Sequence, residues 1–254
     1  MPGRHGRLPR NPGGDLSVQI YPDLESLSQA AAILFVDQVG RAISARGRCS
    51  VALAGGETPR RTYELLSQSP YREGVAWEQI HVFWGDERCV PLSDPRSNAR
   101  LAREVWLNHV PIPADQIHPL DCRFSPGAAA RGYQGLLRDF FGGQPRFDLV
   151  FLGLGENGHT ASLFPGTAVL EEEQRWAAAV YVAAQNLHRV TLTAPIINHA
   201  RQVVFLVAGA AKARVLREVL QGPYDPRRRP AQLIRPQAGE LHWLVDQAAA
   251  GELQ

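Results

Sequence analysis

The chain has 254 residues and a mass of 28.0 kDa, with 44% hydrophobic and 20% charged residues, the composition of an ordinary globular protein with one sizeable core. Its 27 Lys and Arg against 25 Asp and Glu leave a net charge of only +2, which argues against nucleic-acid binding driven by bulk charge. No run approaches ~18 uninterrupted apolar residues, so no membrane span is expected, and the widely spaced Cys49, Cys89 and Cys122 form no disulfide framework and suit a reducing, cytoplasmic compartment.

Residues 1–14 are rich in Pro, Gly and Arg and lack the apolar stretch of a secretory signal, so a disordered tail is expected there. Residues 15–254 read as a single α/β domain. Residues 17–21 alternate as a short strand. Apolar residues at Leu27, Ala31, Leu34, Phe35, Val39 and Ile43 predict a helix over residues 24–45, stopped by Gly47. Residues 49–54 (CSVALA) form an apolar strand, followed by a helix over 60–67 with Pro59 in its first turn. Strands are predicted at 80–84, 147–152, 190–193, 203–207 and 241–246, and helices at 98–109, 128–141 and 210–220. This alternation implies a mainly parallel, Rossmann-like sheet with helices on both faces, whose ligands sit beyond the carboxyl ends of the strands.

The unusual residues occupy the loops at those ends. Gly55, Gly56, Glu57 and Thr58 lie between a strand and a helix, where glycines admit a ligand to the backbone and the helix start offers N–H groups to an anion. A tight strand-to-helix turn accounts for the same residues equally well. Asp86, Glu87 and Arg88 follow the strand 80–84 and fit either an acid/base and anion-binding site or a salt-bridged loop. Ser97 and Asn98 look like a helix cap.

Residues 147–166 contain Gly153-x-Gly155-x-x-Gly158, formally a dinucleotide fingerprint. The residues after Gly158 make a poor helix, closed early by Pro165 and Gly166, and no acidic residue is placed for a ribose. A glycine-rich loop presenting His159 as a proton acceptor is the better physical reading. Arg189 and Lys212 lie near later strands and can supply charge-assisted hydrogen bonds to a phosphate. All 27 basic residues are arginine except Lys212, which is either a position that needs a compact ammonium or a chance survivor of a drift from lysine to arginine. No zinc-type spacing and no nucleophile elbow is present, so metal or serine-nucleophile chemistry is not expected.

These segments together resemble 6-phosphogluconolactonases, within the wider NagB/RpiA-like group that includes glucosamine-6-phosphate deaminases. The carriers are GGETP (55–59), GDERCVP (85–91) with Ser97-Asn98, NGHTASLFPG (157–166), RVTLTAPIIN (189–198), AGAAKA (208–213) and PAQLIRP (230–236), in order along residues 16–250. The resemblance implies hydrolysis of 6-phospho-D-glucono-1,5-lactone to 6-phosphogluconate, the second step of the oxidative pentose phosphate pathway, with no cofactor and no metal. It implies His159 as general base and Asp86 as a residue that orients His159, substrate or water. Arg88, Arg189, Lys212 and the 55–58 loop would hold phosphate, with Asn157 and Gly158 shaping the His159 loop. The expected partner is this small substrate alone, bound by a monomer.

The resemblance also supplies the rival. The deaminase branch carries a glutamate where this chain has Phe164, which cannot ionise and therefore favours the lactonase. Asn157 stands where the family commonly has Asp, and is expected to orient His159 without adding charge; Ala99 replaces a common aromatic residue. A non-catalytic sugar-phosphate sensor and a nicotinamide-dependent enzyme are the remaining readings.

Overall fold

In β3 (Cys49–Leu53), β4 (Ile80–Trp84), β7 (Leu149–Gly153) and β10 (Gln202–Val207), nearly every residue is apolar and buried. Successive side chains of a strand point to opposite faces, so both faces of this sheet must be covered. Val51, Leu53, Phe151 and Leu206 enter one core, while Ala52, Phe83, Leu152 and Phe205 enter the other. With β2 (Leu16–Tyr21), β6 (Ile117–His118) and β11 (Glu240–Asp246) these strands form a parallel sheet in the order β2-β11-β10-β7-β3-β4-β6, and β1 (His5–Gly6) runs antiparallel on β2. The computed structural model describes residues 5–6 and 16–254; the tail predicted over 1–14 otherwise lies outside the described residues.

The first core lies under α1 (Leu24–Arg46), α2 (Glu57–Leu66) and α3 (Asn98–Val105), where Phe35, Tyr63, Trp77 and Trp106 pack ring against ring. Helix α1 starts at Asp23, whose carboxylate accepts from the Ser26 N–H, and stops at Gly47 with φ 73°. The second core lies under α4 (Pro126–Phe141), α5 (Ala194–Asn198) and α6 (Ala213–Leu220), with Phe205 stacked on Trp243 at 3.8 Å. Among the described residues no helix is long and apolar enough to cross a membrane.

Two helices depart from the predicted spans. Helix α2 begins at Glu57 rather than residue 60, because Gly56 takes φ 101° at the N-cap and lets the helix start at once. The segment 98–109 breaks at Trp106, which leaves helical geometry (φ −144°, ψ −66°) and stacks its ring on Tyr63; a 3-10 turn, Leu107–His109, follows.

A second, antiparallel sheet was not anticipated: β5 (Asp86–Arg88), β9 (Leu187–Leu192) and β8 (Ala177–Val182). Its register sets Asp86 opposite Thr191 and Arg88 opposite Arg189. In the main sheet, the chain steps outward from β3 through β4 to β6, then returns to β7 beside β3 and steps the other way through β10 to β11. Connections leaving β3 and β7 therefore diverge and open a crevice at their carboxyl ends, the switch point where open α/β sheets place ligands.

Candidate active site

A cleft of about 250 Å³ occupies that crevice. Its walls bring together Gly55, Gly56, Glu57 and Thr58 after β3, Asp86 and Arg88 on β5, His159 after β7, Arg189 on β9 and Lys212 after β10. The volume lies below the ~300–1,000 Å³ of sites for drug-sized ligands, so it suits a small molecule better than a dinucleotide. Asn157 and Gly158 do not line the cleft; they shape the loop behind it.

The first wall depends on its glycines. A Cβ at Gly55 would sit 1.9 Å from Oδ1 of Asn98, so only glycine lets that side chain reach the cleft. Gly56 caps α2 with no side-chain hydrogen bond, leaving the first-turn N–H groups and the positive helix end at the wall. Glu57, predicted among the binding residues, turns its carboxylate outward: the side chain is 85% exposed and lies 3.8 Å from Arg60. Its contribution to the cleft is therefore backbone.

The second wall holds His159. Gly155 is obligatory, because a Cβ there would lie 2.0 Å from the His159 ring. Asn157 Oδ1 accepts the His159 backbone N–H at 3.2 Å and lies 2.5 Å from ring Nδ1. A backbone N–H can only donate, which identifies the Asn157 atom as oxygen, so the Nδ1 facing it carries the proton. Nε2 is left with a free lone pair. The ring stacks on Phe164 at 3.9 Å. Burial pushes the His159 pKa down to about 4; Arg189, Lys212 and Arg88 add to that effect and Asp86 opposes it. No helix follows Gly158; a turn and a Thr160–Leu163 bridge do, so the dinucleotide fingerprint is not built.

The third wall carries the cations. Buried Asp86 accepts from Ser162 Oγ at 2.5 Å, Arg189 Nη1 at 3.2 Å and Asn98 Nδ2 at 3.2 Å. It makes no hydrogen bond to His159: its carboxylate is already committed to three donors, and Asn157 lies against the ring. Arg189 also donates to Gln185, and Arg88 donates to the Arg96 carbonyl at 2.6 Å. Yet the Nε atoms of both arginines are buried without a partner among the described residues. Like charges directly opposite on paired strands are unfavourable, and a bound anion relieves both the repulsion and the two unmet donors. Among the described residues the Lys212 ammonium makes only a long 3.8 Å contact with exposed Glu156.

Sequence reasoning missed the roles of three residues. Asn98 does more than begin a helix, because its side chain turns into the cleft wall and binds Asp86. Ser162, inside the NGHTASLFPG block, is the shortest partner of Asp86. Glu87 accepts from the Arg88, Asn98 and Ala99 N–H groups and from Ser97 Oγ, closing the N-terminus of α3. Strand alternation separates these roles, since Asp86 and Arg88 face the cleft while Glu87 faces α3.

The family model for glucosamine-6-phosphate isomerases/6-phosphogluconolactonase matches residues 22–243. A 6-phosphogluconolactonase of Synechocystis sp. is 43% identical over 242 residues, covering 93% of this chain and 98% of that protein. One of Mycobacterium tuberculosis is 36% identical over 246 residues, covering 93% and 98%. Among solved structures, the Trypanosoma brucei 6-phosphogluconolactonase superposes with a TM-score of 0.83 at 29% identity, over 95% of this chain and all of that one. A monomeric glucosamine-6-phosphate deaminase shares the fold, with a TM-score of 0.79 at 22% identity over 92% of this chain and 99% of that one. The chain is thus a member of the glucosamine-6-phosphate isomerase/6-phosphogluconolactonase family.

Proposed function

We propose that the protein hydrolyses 6-phospho-D-glucono-1,5-lactone to 6-phosphogluconate, the second step of the oxidative pentose phosphate pathway. The observation that carries this reading is the pairing, in one small cleft, of a neutral imidazole with a set of under-satisfied cations. Arg88, Arg189, Lys212 and the α2 N-terminus take the phosphate, and this binding energy positions the lactone carbonyl near His159. Nε2 accepts a proton from water as the oxygen attacks C1. The tetrahedral adduct then collapses, the ring C–O bond breaks, and the imidazolium returns its proton to the leaving oxygen. Burial is the main cause of the low His159 pKa; the arriving phosphate dianion offsets the smaller contribution of the three cations, which favours the proton-accepting role of the ring. A positioned base gives ~10²–10⁴-fold, enough for an ester that already hydrolyses in water.

Phe164 supports this reading over the deaminase: where that branch has a glutamate, this chain stacks an apolar ring on His159. The test is a coupled assay with freshly generated lactone, following 6-phosphogluconate above the spontaneous background. Turnover is expected, with no ammonia released from glucosamine 6-phosphate. A rate equal to background, or ammonia release, contradicts the proposal.

A further inference from the structure

We propose that residues 229–235 act as a strap that sets the position of His159, with Arg229 as its positioning residue. The block PAQLIRP (230–236) lines no wall of the cleft, yet it reaches the residue before His159. Three contacts converge on Gly158. Its N–H donates to the Gly155 carbonyl at 2.9 Å, and its carbonyl accepts from the Ala231 N–H at 2.9 Å. Half-buried Arg229 fills the side on which a side chain would start: a Cβ on Gly158 would sit 2.6 Å from Cδ and 3.1 Å from Cα of Arg229. Gly158 has φ 82°, and a glycine has many other conformations open to it. The turn that aims His159 therefore depends on contacts from outside it.

The strap is itself anchored to two helices. Arg229 donates to Glu218 of α6 through Nε at 2.5 Å and through Nη2, a charge-assisted pair that fixes its stem over Gly158. Buried Gln232 accepts from the Asp225 N–H at 2.7 Å, and its amide donates to carbonyls at and beyond the end of α6, Val219 at 3.3 Å and Pro223 at 3.1 Å. Asn198, the last residue of α5, donates to the Leu233 carbonyl at 2.8 Å and accepts from the Arg235 N–H at 2.7 Å. Helix α6 starts one residue after Lys212. One helix thus carries a cation of the cleft at its start and, through Glu218 and Arg229, steadies the loop of the imidazole.

The consequence for activity rests on the lactonase reading. Without Arg229 one side of Gly158 is unsupported, so the His159 ring drifts from its stack on Phe164 while the cations that take the phosphate stay in place. Misplacing a reacting group by about 1 Å costs up to ~10²-fold in rate. The loss falls on kcat rather than KM, because phosphate binding is untouched.

The experiment compares the full chain with Arg229→Ala, Arg229→Lys and Glu218→Gln. It measures lactone turnover and the NMR resonance of the His159 ring protons, which the Phe164 ring displaces from 3.9 Å away. Arg229→Ala is expected to lower kcat by about tenfold to a hundredfold at nearly constant KM, and to move the ring resonance toward that of an unstacked histidine. Arg229→Lys, which keeps a stem and a charge for Glu218, retains both. Glu218→Gln, which loosens the anchor, changes both in the same direction by a smaller factor, and decides by the same readouts if Arg229→Ala does not fold. A lowered Tm with kcat and the resonance unchanged overturns the proposal, as does a rise in KM at constant kcat. Absence of turnover in the unaltered chain overturns the lactonase reading instead, and the ring resonance still decides whether the strap sets His159.

Discussion

His159 is held neutral by its surroundings rather than by a charged partner, and this sets how it responds to pH. Its ring is expected to titrate near pH 4 in the free protein, followed by NMR, and to move upward on binding inorganic phosphate. Asn157→Asp places a carboxylate on Nδ1 and should raise that value by at least one unit; an unchanged titration would remove Asn157 from the ring-holding role. The stability sign follows. The unfolded chain takes up the His159 proton first as pH falls from the ordinary 6.5, so stability is lost between there and about pH 4, and Asn157→Asp narrows the loss. In the proposed mechanism Lys212 acts at the other end of the substrate. Its ammonium has no hydrogen bond among the described residues, so Lys212→Ala should raise KM about tenfold with kcat nearly unchanged. Loss of kcat at constant KM would instead assign Lys212 to the chemical step.

At the scale of elements, Glu87 joins β5 to α3. Four donors converge on its buried carboxylate, three of them backbone N–H groups that have no alternative acceptor in place. Glu87→Gln turns one acceptor oxygen into a donor facing those N–H groups and should cost roughly 2–4 kcal/mol in urea unfolding; a cost near zero would show that the helix end is satisfied otherwise. The same element shows what could be read from the chain. Strands 49–54, 80–84 and 203–207 were legible because burial on both faces demands continuous apolar runs. Of the β5-β9-β8 sheet only the strand predicted over 190–193, which overlaps β9, was. Asp-Glu-Arg has the composition of a loop but pairs with β9, with Arg189 and Ser162 on Asp86 and Ser97 on Glu87, and β8 begins with three alanines of weak strand preference. Within the site, the glycine loops, His159, Arg189 and Lys212 were legible by residue type and position. The partners of Asp86 were not, since Ser162 and Asn98 are ordinary polar residues whose meaning comes from being brought to one carboxylate.

For the whole molecule, divergence of the chain at β3 and β7 places loops from both halves around one cavity, so a ligand there couples the two cores. Saturating 6-phosphogluconate should therefore stabilise the entire fold, by about 2.7 kcal/mol at a hundredfold excess over Kd and a Tm rise of roughly 5–10 °C. Lys212→Ala should shrink that rise; an equal rise in the variant would place the ligand elsewhere. The central claim is that a neutral His159 removes a proton from water while cations at the far side of the cleft hold the phosphate. Its most direct test is the steady-state rate of His159→Ala on fresh lactone, alongside the Tm rise with 6-phosphogluconate. The account predicts kcat lower by ~10²–10⁴-fold with the ligand-induced Tm rise retained; near-normal turnover in this variant would contradict it.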